Sequence, residues 1–104
     1  MDHFYTLAVP AGREDFARLG VHAPPIDLST TYPVADLGAG TESFDALVGG
    51  AASAANPIYA RLHNPTVARV ENALARLEGT EACVAYGSGM AALTAVLLDA
   101  RSRG

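Results

Sequence analysis

Two groups of residues in this chain have the types and spacing needed to hold an anion. In the first, Ser88 stands between Gly87 and Gly89 and is followed by Met90. A serine hydroxyl flanked by two residues without side chains lets an anion reach the backbone N–H groups, and a helix starting there adds the positive end of its dipole. In the second, Tyr59 and Arg61 lie two residues apart, which on an extended segment places both side chains on one side. A planar guanidinium beside a phenol hydroxyl makes a directional, charge-assisted grip on phosphate. Each group also has a plain structural explanation. Gly-Ser-Gly turns are common in α/β proteins, and the pair is equally consistent with a solvated arginine next to a half-buried tyrosine.

The flanking elements decide whether such groups can be held in place. Ala82 to Tyr86 is a short uncharged apolar run, the pattern of a strand buried on both faces of a parallel sheet. From Met90 the residues are good helix formers, so the spacing predicts strand, glycine turn and helix around Ser88. Just after Arg61, Asn64 and Pro65 form a helix start, an N-cap followed by a first-turn proline. That helix is expected to run to Glu78, with Gly79 as a left-handed C-cap and Val67, Val70, Leu74 and Leu77 as its buried stripe. Residues 1–58 hold few periodic patterns. A short helix around Glu14 to Leu19 and a helical turn near Ser43 to Val48 are the exceptions, and the rest reads as an extended arm and strap lying on another surface. Domain boundaries follow: an arm over 1–58 and the start of a larger domain over 59–104. One strand cannot satisfy its own backbone groups, so the expected architecture is incomplete within these 104 residues.

Composition narrows the partners. The chain has a formal net charge of −4 and no basic run, which argues against nucleic acid and anionic membrane surfaces. All seven basic residues are arginine, so no lysine is present. The single cysteine, Cys83, falls inside the predicted strand and reads as a small buried hydrophobe. The longest apolar run, Met90 to Leu98, is too short to span a bilayer, and no metal-ligand cluster is visible. A soluble, cytoplasmic protein is the expected setting.

The order of motifs is similar to that of a known family. Pro24-Pro25-Ile26-Asp27-Leu28-Ser29-Thr30-Thr31-Tyr32, then Tyr59-Ala60-Arg61-Leu62-His63-Asn64-Pro65-Thr66, then Leu77-Glu78-Gly79-Thr80-Glu81-Ala82, then Ser88-Gly89-Met90-Ala91-Ala92 resembles the N-terminal part of the Cys/Met-metabolism pyridoxal-phosphate enzymes. This is the group of cystathionine γ-synthase, cystathionine γ- and β-lyase and methionine γ-lyase, and the likeness runs from about Thr6 to the end. It implies an α/β architecture, the start of the large domain of a fold-type I enzyme preceded by an N-terminal arm, in a homotetramer of two tight dimers. It further implies pyridoxal 5'-phosphate as cofactor and a sulfur amino acid as substrate. By the same resemblance Ser88, Gly89 and Met90 hold the cofactor phosphate, Tyr59 and Arg61 reach the phosphate of the neighbouring subunit's cofactor, and the arm wraps adjacent subunits.

Two positions depart from the family pattern. Asp27 stands where an aromatic residue is usual, and His63 varies the position before Asn-Pro-Thr. The family's ring-stacking aromatic, its aspartate for the ring nitrogen, its cofactor-bearing lysine and its substrate-carboxylate arginine all follow the part that this chain matches. No catalytic residue is therefore expected here, and the chain alone is expected to be inactive, needing the remainder of the enzyme as a longer chain or a second subunit. A non-catalytic assembly piece is the alternative, supported by the missing lysine. A nucleotide-binding module fits poorly, because neither Gly-Lys-Ser/Thr nor a full Gly-x-Gly-x-x-Gly occurs.

Overall fold

A computed structural model describes residues 3–104. Its elements are helices α1 (Phe4–Ala8), α2 (Phe16–Leu19), α3 (Leu37–Val48), α4 (Pro65–Glu78) and α5 (Gly89–Ser102). The long helices start where side chains can take up orphan N–H groups. Asp36 caps α3 by accepting from the Ala39 N–H at 2.9 Å. Asn64 caps α4 by accepting from Thr66 at 3.0 Å and Val67 at 3.2 Å, with Pro65 in the first turn. Ser88 caps α5 by accepting from Ala91 at 3.1 Å. Gly79 closes α4 with φ +66°, a conformation that favours glycine because it has no Cβ.

The expected strand at Ala82 to Tyr86 does not form. Among the described residues the one β-pairing is the antiparallel bridge between Thr31 and Tyr59, so the chain presents helices and connecting loops rather than an α/β sheet. The cause is the absence of a partner strand, without which an apolar run has no ladder to join. One of its N–H groups, that of Ala85, instead donates to Glu71 Oε1 on α4 at 2.8 Å. The helical turn expected near Ser43 is a full helix of 12 residues beginning at Leu37. Gly38 and Gly40 concealed its first half. Gly40 is required by packing, since a Cβ there would lie 2.4 Å from Val34 Cγ1. Among the described residues, the stretch 3–58 therefore contains three helices as well as extended stretches.

The predicted stripe of α4 is not buried within the chain. Val67, Val70 and Leu74 are 40%, 53% and 43% exposed, and α5 packs on no other helix among the described residues. Buried apolar side chains are limited there to Leu47 and Ala75, and Cys83 is only partly covered. The radius of gyration is 15.9 Å, against about 13 Å for a compact domain of about 100 residues. Such a chain is open, with its apolar stripes left exposed. No helix among the described residues is long and apolar enough to cross a membrane, and those residues include no cluster suited to a metal ion.

Polar contacts hold the arm on α4. Arg69 makes a two-pronged ion pair with Asp15, Nη1 to Oδ1 at 2.6 Å and Nη2 to Oδ2 at 3.0 Å, and donates also to the Gly12 carbonyl at 2.8 Å. Its guanidinium lies 5.8 Å from the Phe16 ring centroid. Arg76 pairs with Glu14 about two turns further along the same face of α4.

Candidate functional site

Tyr59 and Arg61 are brought together, though by a turn rather than an extended strand. The Thr31–Tyr59 bridge is made by the Tyr32 N–H donating to the Ile58 carbonyl at 3.1 Å and the Ala60 N–H to the Thr30 carbonyl at 2.9 Å. The chain then turns, with the N–H groups of Leu62 and His63 donating to the Tyr59 carbonyl. This folds the Arg61 guanidinium over the Tyr59 ring, 4.9 Å from its centroid. Stacking of this kind holds the guanidinium plane while leaving its edge N–H groups free. Arg61 is exposed and makes no ion pair with any described residue.

The second group sits at the start of α5. Ser88 spends its hydroxyl and its carbonyl on the Ala91 and Ala92 N–H groups. The Gly89 and Met90 N–H groups, in the first turn, have no acceptor among the described residues. Gly87 and Gly89 are not among the glycines with positive φ, so backbone conformation does not demand glycine at either place. A Cβ at either would project into open space. The missing side chains leave the backbone there open to close approach. Two uncommitted N–H groups, the helix dipole and that space suit a phosphate. No hydrogen bond or ion pair joins Tyr59 or Arg61 to Ser88, Gly89 or Met90 among the described residues.

Between the two groups lies the start of α4. The Asp27 N–H donates to Thr66 Oγ1 at 3.1 Å, and Asp27 Oδ1 accepts from the Ser29 N–H at 2.8 Å. Hydrogen bonding to Ser29 holds the Asp27 carboxyl below its ordinary range. The Tyr32 hydroxyl nearby is shut off from solvent and makes no hydrogen bond of good geometry among the described residues. Burial, and then the Asp27 charge, pushes its pKa up. The Asp27 side chain thus closes a local turn with Ser29, while its backbone N–H ties the strap to α4. Sequence reasoning missed Arg69, Asp15 and Asn56 as organisers of this region. The Asn56-Pro57 dipeptide was a turn signal that could have directed attention to the last of them.

The family model for Cys/Met metabolism PLP-dependent enzymes matches residues 5–104. The chain belongs to that family. Among its relatives, it is 60% identical over 95% of its length to an L-methionine gamma-lyase of Streptomyces avermitilis, covering 24% of that protein. It is 46% identical over 98% of its length to an L-methionine gamma-lyase of Brevibacterium sandarakinum, covering 26% of it. To an O-acetyl-L-homoserine sulfhydrylase of Corynebacterium glutamicum it is 34% identical over 97% of its length, covering 22%. The chain thus spans about a quarter of the length of these curated relatives. No solved structure matches it significantly. The cofactor of the family is pyridoxal phosphate, whose phosphate fits the α5 turn and the free edge of Arg61 as just described.

Proposed function

We propose that this chain is the N-terminal, cofactor-anchoring segment of a pyridoxal-phosphate enzyme that cleaves the γ-carbon–sulfur bond of a sulfur amino acid, a methionine γ-lyase in type. The observation that carries this is the 60% identity to an L-methionine gamma-lyase, with 46% to a second. The fold-type I large domain begins in residues 59–104, and the arm over 1–58 lies against neighbouring subunits of a homo-oligomer.

In this reading Ser88 fixes the first turn of α5, and the N–H groups of Gly89 and Met90 bind the cofactor phosphate. Tyr59 orients the Arg61 guanidinium, which supplies a positive charge to a phosphate held by the adjacent subunit. When bound, the cofactor supplies an electron sink for the substrate carbons. The role of this chain is to fix the ring by its phosphate, so that the reacting bonds are aligned. The lysine that carries the cofactor comes from outside these residues, which include none.

The test is product analysis with the complete enzyme. Methionine and water should yield methanethiol, ammonia and a 2-oxo acid. Turnover confined to sulfide exchange on O-acylated homoserine would move the assignment to the synthase branch. Turnover by the complete enzyme that is lost with Arg61→Ala and Gly89→Leu would separate this role from that of an assembly piece without catalytic function.

A further inference from the structure

The turn ahead of Tyr59 contains a backbone conformation that its residue type disfavours. Ile58 has φ +62° and is the single non-glycine residue with positive φ among the described residues. A β-branched side chain makes that region costly. The Tyr59 N–H donates to the Pro57 carbonyl at 2.7 Å, closing a γ-turn of the rare, strained, positive-φ kind. Conformations of this sort persist where the surroundings over-determine them, and they cluster at ligand clamps.

Asn56 supplies most of that determination. Its Oδ1 accepts from the Ile58 N–H at 2.8 Å, and its side-chain amide donates to the Pro33 carbonyl at 2.8 Å. Its own N–H donates at 3.2 Å to the hydroxyl of Ser43, which is 5% exposed on α3. The Ile58 carbonyl is held in turn by the Tyr32 N–H. The Ile58 side chain lines a groove of about 240 Å³ together with Val34, Leu37 and Phe44. The amide side chain of Asn56 therefore joins the strap to the turn from which Tyr59 and Arg61 leave, and its backbone N–H ties the same residue to α3.

We propose that Asn56 is a positioning residue: it locks the Ile58 turn and so pre-orients the Tyr59–Arg61 pair for the cofactor phosphate. The proposal rests on the phosphate role given to Arg61 above. Without Asn56, Ile58 relaxes to negative φ, the peptide joining it to Tyr59 rotates, and Tyr59 leaves its bridge with Thr31. The arginine is then aligned in only part of the population, and apparent affinity falls by that fraction.

The experiment uses the complete enzyme, freed of cofactor and titrated with pyridoxal phosphate by absorbance, with the thermal midpoint followed in parallel. Arg61→Ala should raise the cofactor dissociation constant roughly ten- to a hundredfold, and Asn56→Ala roughly tenfold. The double variant should bind no more than about threefold more weakly than Arg61→Ala, because Asn56 acts through the arginine. Ile58→Gly added to Asn56→Ala should recover most of the lost affinity, since glycine keeps positive φ without support, while loss of the isoleucine side chain lowers the thermal midpoint. Pyridoxal, lacking the phosphate, should bind Asn56→Ala and the unaltered enzyme alike. If Asn56→Ala does not fold, Asn56→Asp, which keeps the acceptor for Ile58 and loses the donor to Pro33, carries the same comparison with and without Ile58→Gly. Unchanged affinity on altering Asn56, additive losses with Arg61→Ala, or no recovery with glycine would overturn the proposal. Unchanged affinity in Arg61→Ala would overturn the phosphate role itself, which separates the two failures.

Discussion

Arg69 shows how much of this segment hangs on one side chain. It reads from the sequence as one of several polar positions on α4, yet it holds Asp15, the Gly12 carbonyl and the Phe16 face at once. The hydrogen bond to Arg69 lowers the pKa of Asp15 below its ordinary 3.8. With the folded-state value depressed, the contribution of Asp15 is complete above the unfolded value, shrinks as the pH falls through that range, and is gone below the folded value. The segment around Gly12 to Phe16 should therefore loosen from α4 in acid. Hydrogen exchange at pH 3 should show faster labelling of the segment around Gly12 and Phe16 than at pH 6, after correction for intrinsic rates, and equal protection would contradict it. Arg69→Lys should mimic the acid state at neutral pH, because an ammonium cannot reproduce the two-pronged pairing.

At the scale of elements, the helix starts and stops were legible because they are local. Asn64, Pro65 and Gly79 bracket α4 within a few residues of sequence, and the backbone adopts what those residues favour. Asn64→Ala should cost about 1 kcal/mol, within the usual range for a lost N-cap, and Gly79→Ala about 1 to 2 kcal/mol for forcing a Cβ into the left-handed region. Chemical denaturation of the complete enzyme measures both, and no change in either would show that tertiary contacts, not caps, set the ends of α4. Helix α3 was only half legible. Gly38 and Gly40 resemble loop residues, and the need for Gly40 arises from Val34, six residues earlier and outside the helix. Gly40→Ala should separate α3 from the strap at a cost of about 1 to 3 kcal/mol, despite the better helix propensity of alanine. A gain in stability would mean that Val34 moves aside freely.

For the whole molecule the open shape and exposed stripes have a direct consequence. Expressed by itself, the 104-residue segment should show no cooperative thermal transition, because few apolar side chains leave water within it. A sharp, reversible transition by calorimetry would refute this. Treated with pyridoxal phosphate and borohydride, the segment should carry no cofactor mass on a side chain, since it has no lysine. In the complete enzyme, Arg61→Ala and a bulky replacement of Gly89 should damage different active sites if the pair serves a neighbour. Mixed oligomers of the two variants should then exceed either alone in activity, whereas no recovery despite proven subunit exchange would place both groups in one site.

The sequence by itself determined the family, the caps of α4, the glycine turn at Ser88 and the adjacency of Tyr59 and Arg61, and the last three depend on residues a few positions apart. Tertiary structure alone decided the rest. The apolar run at Ala82 to Tyr86 is no strand here, because a strand needs a partner that local sequence cannot supply. The stacking of Arg61 on Tyr59 follows from a turn, and that turn rests on Asn56, Pro33 and Ser43, which are brought together across 23 positions of chain. Contacts between distant residues depend on which surfaces meet, and a period or a cap carries no record of that.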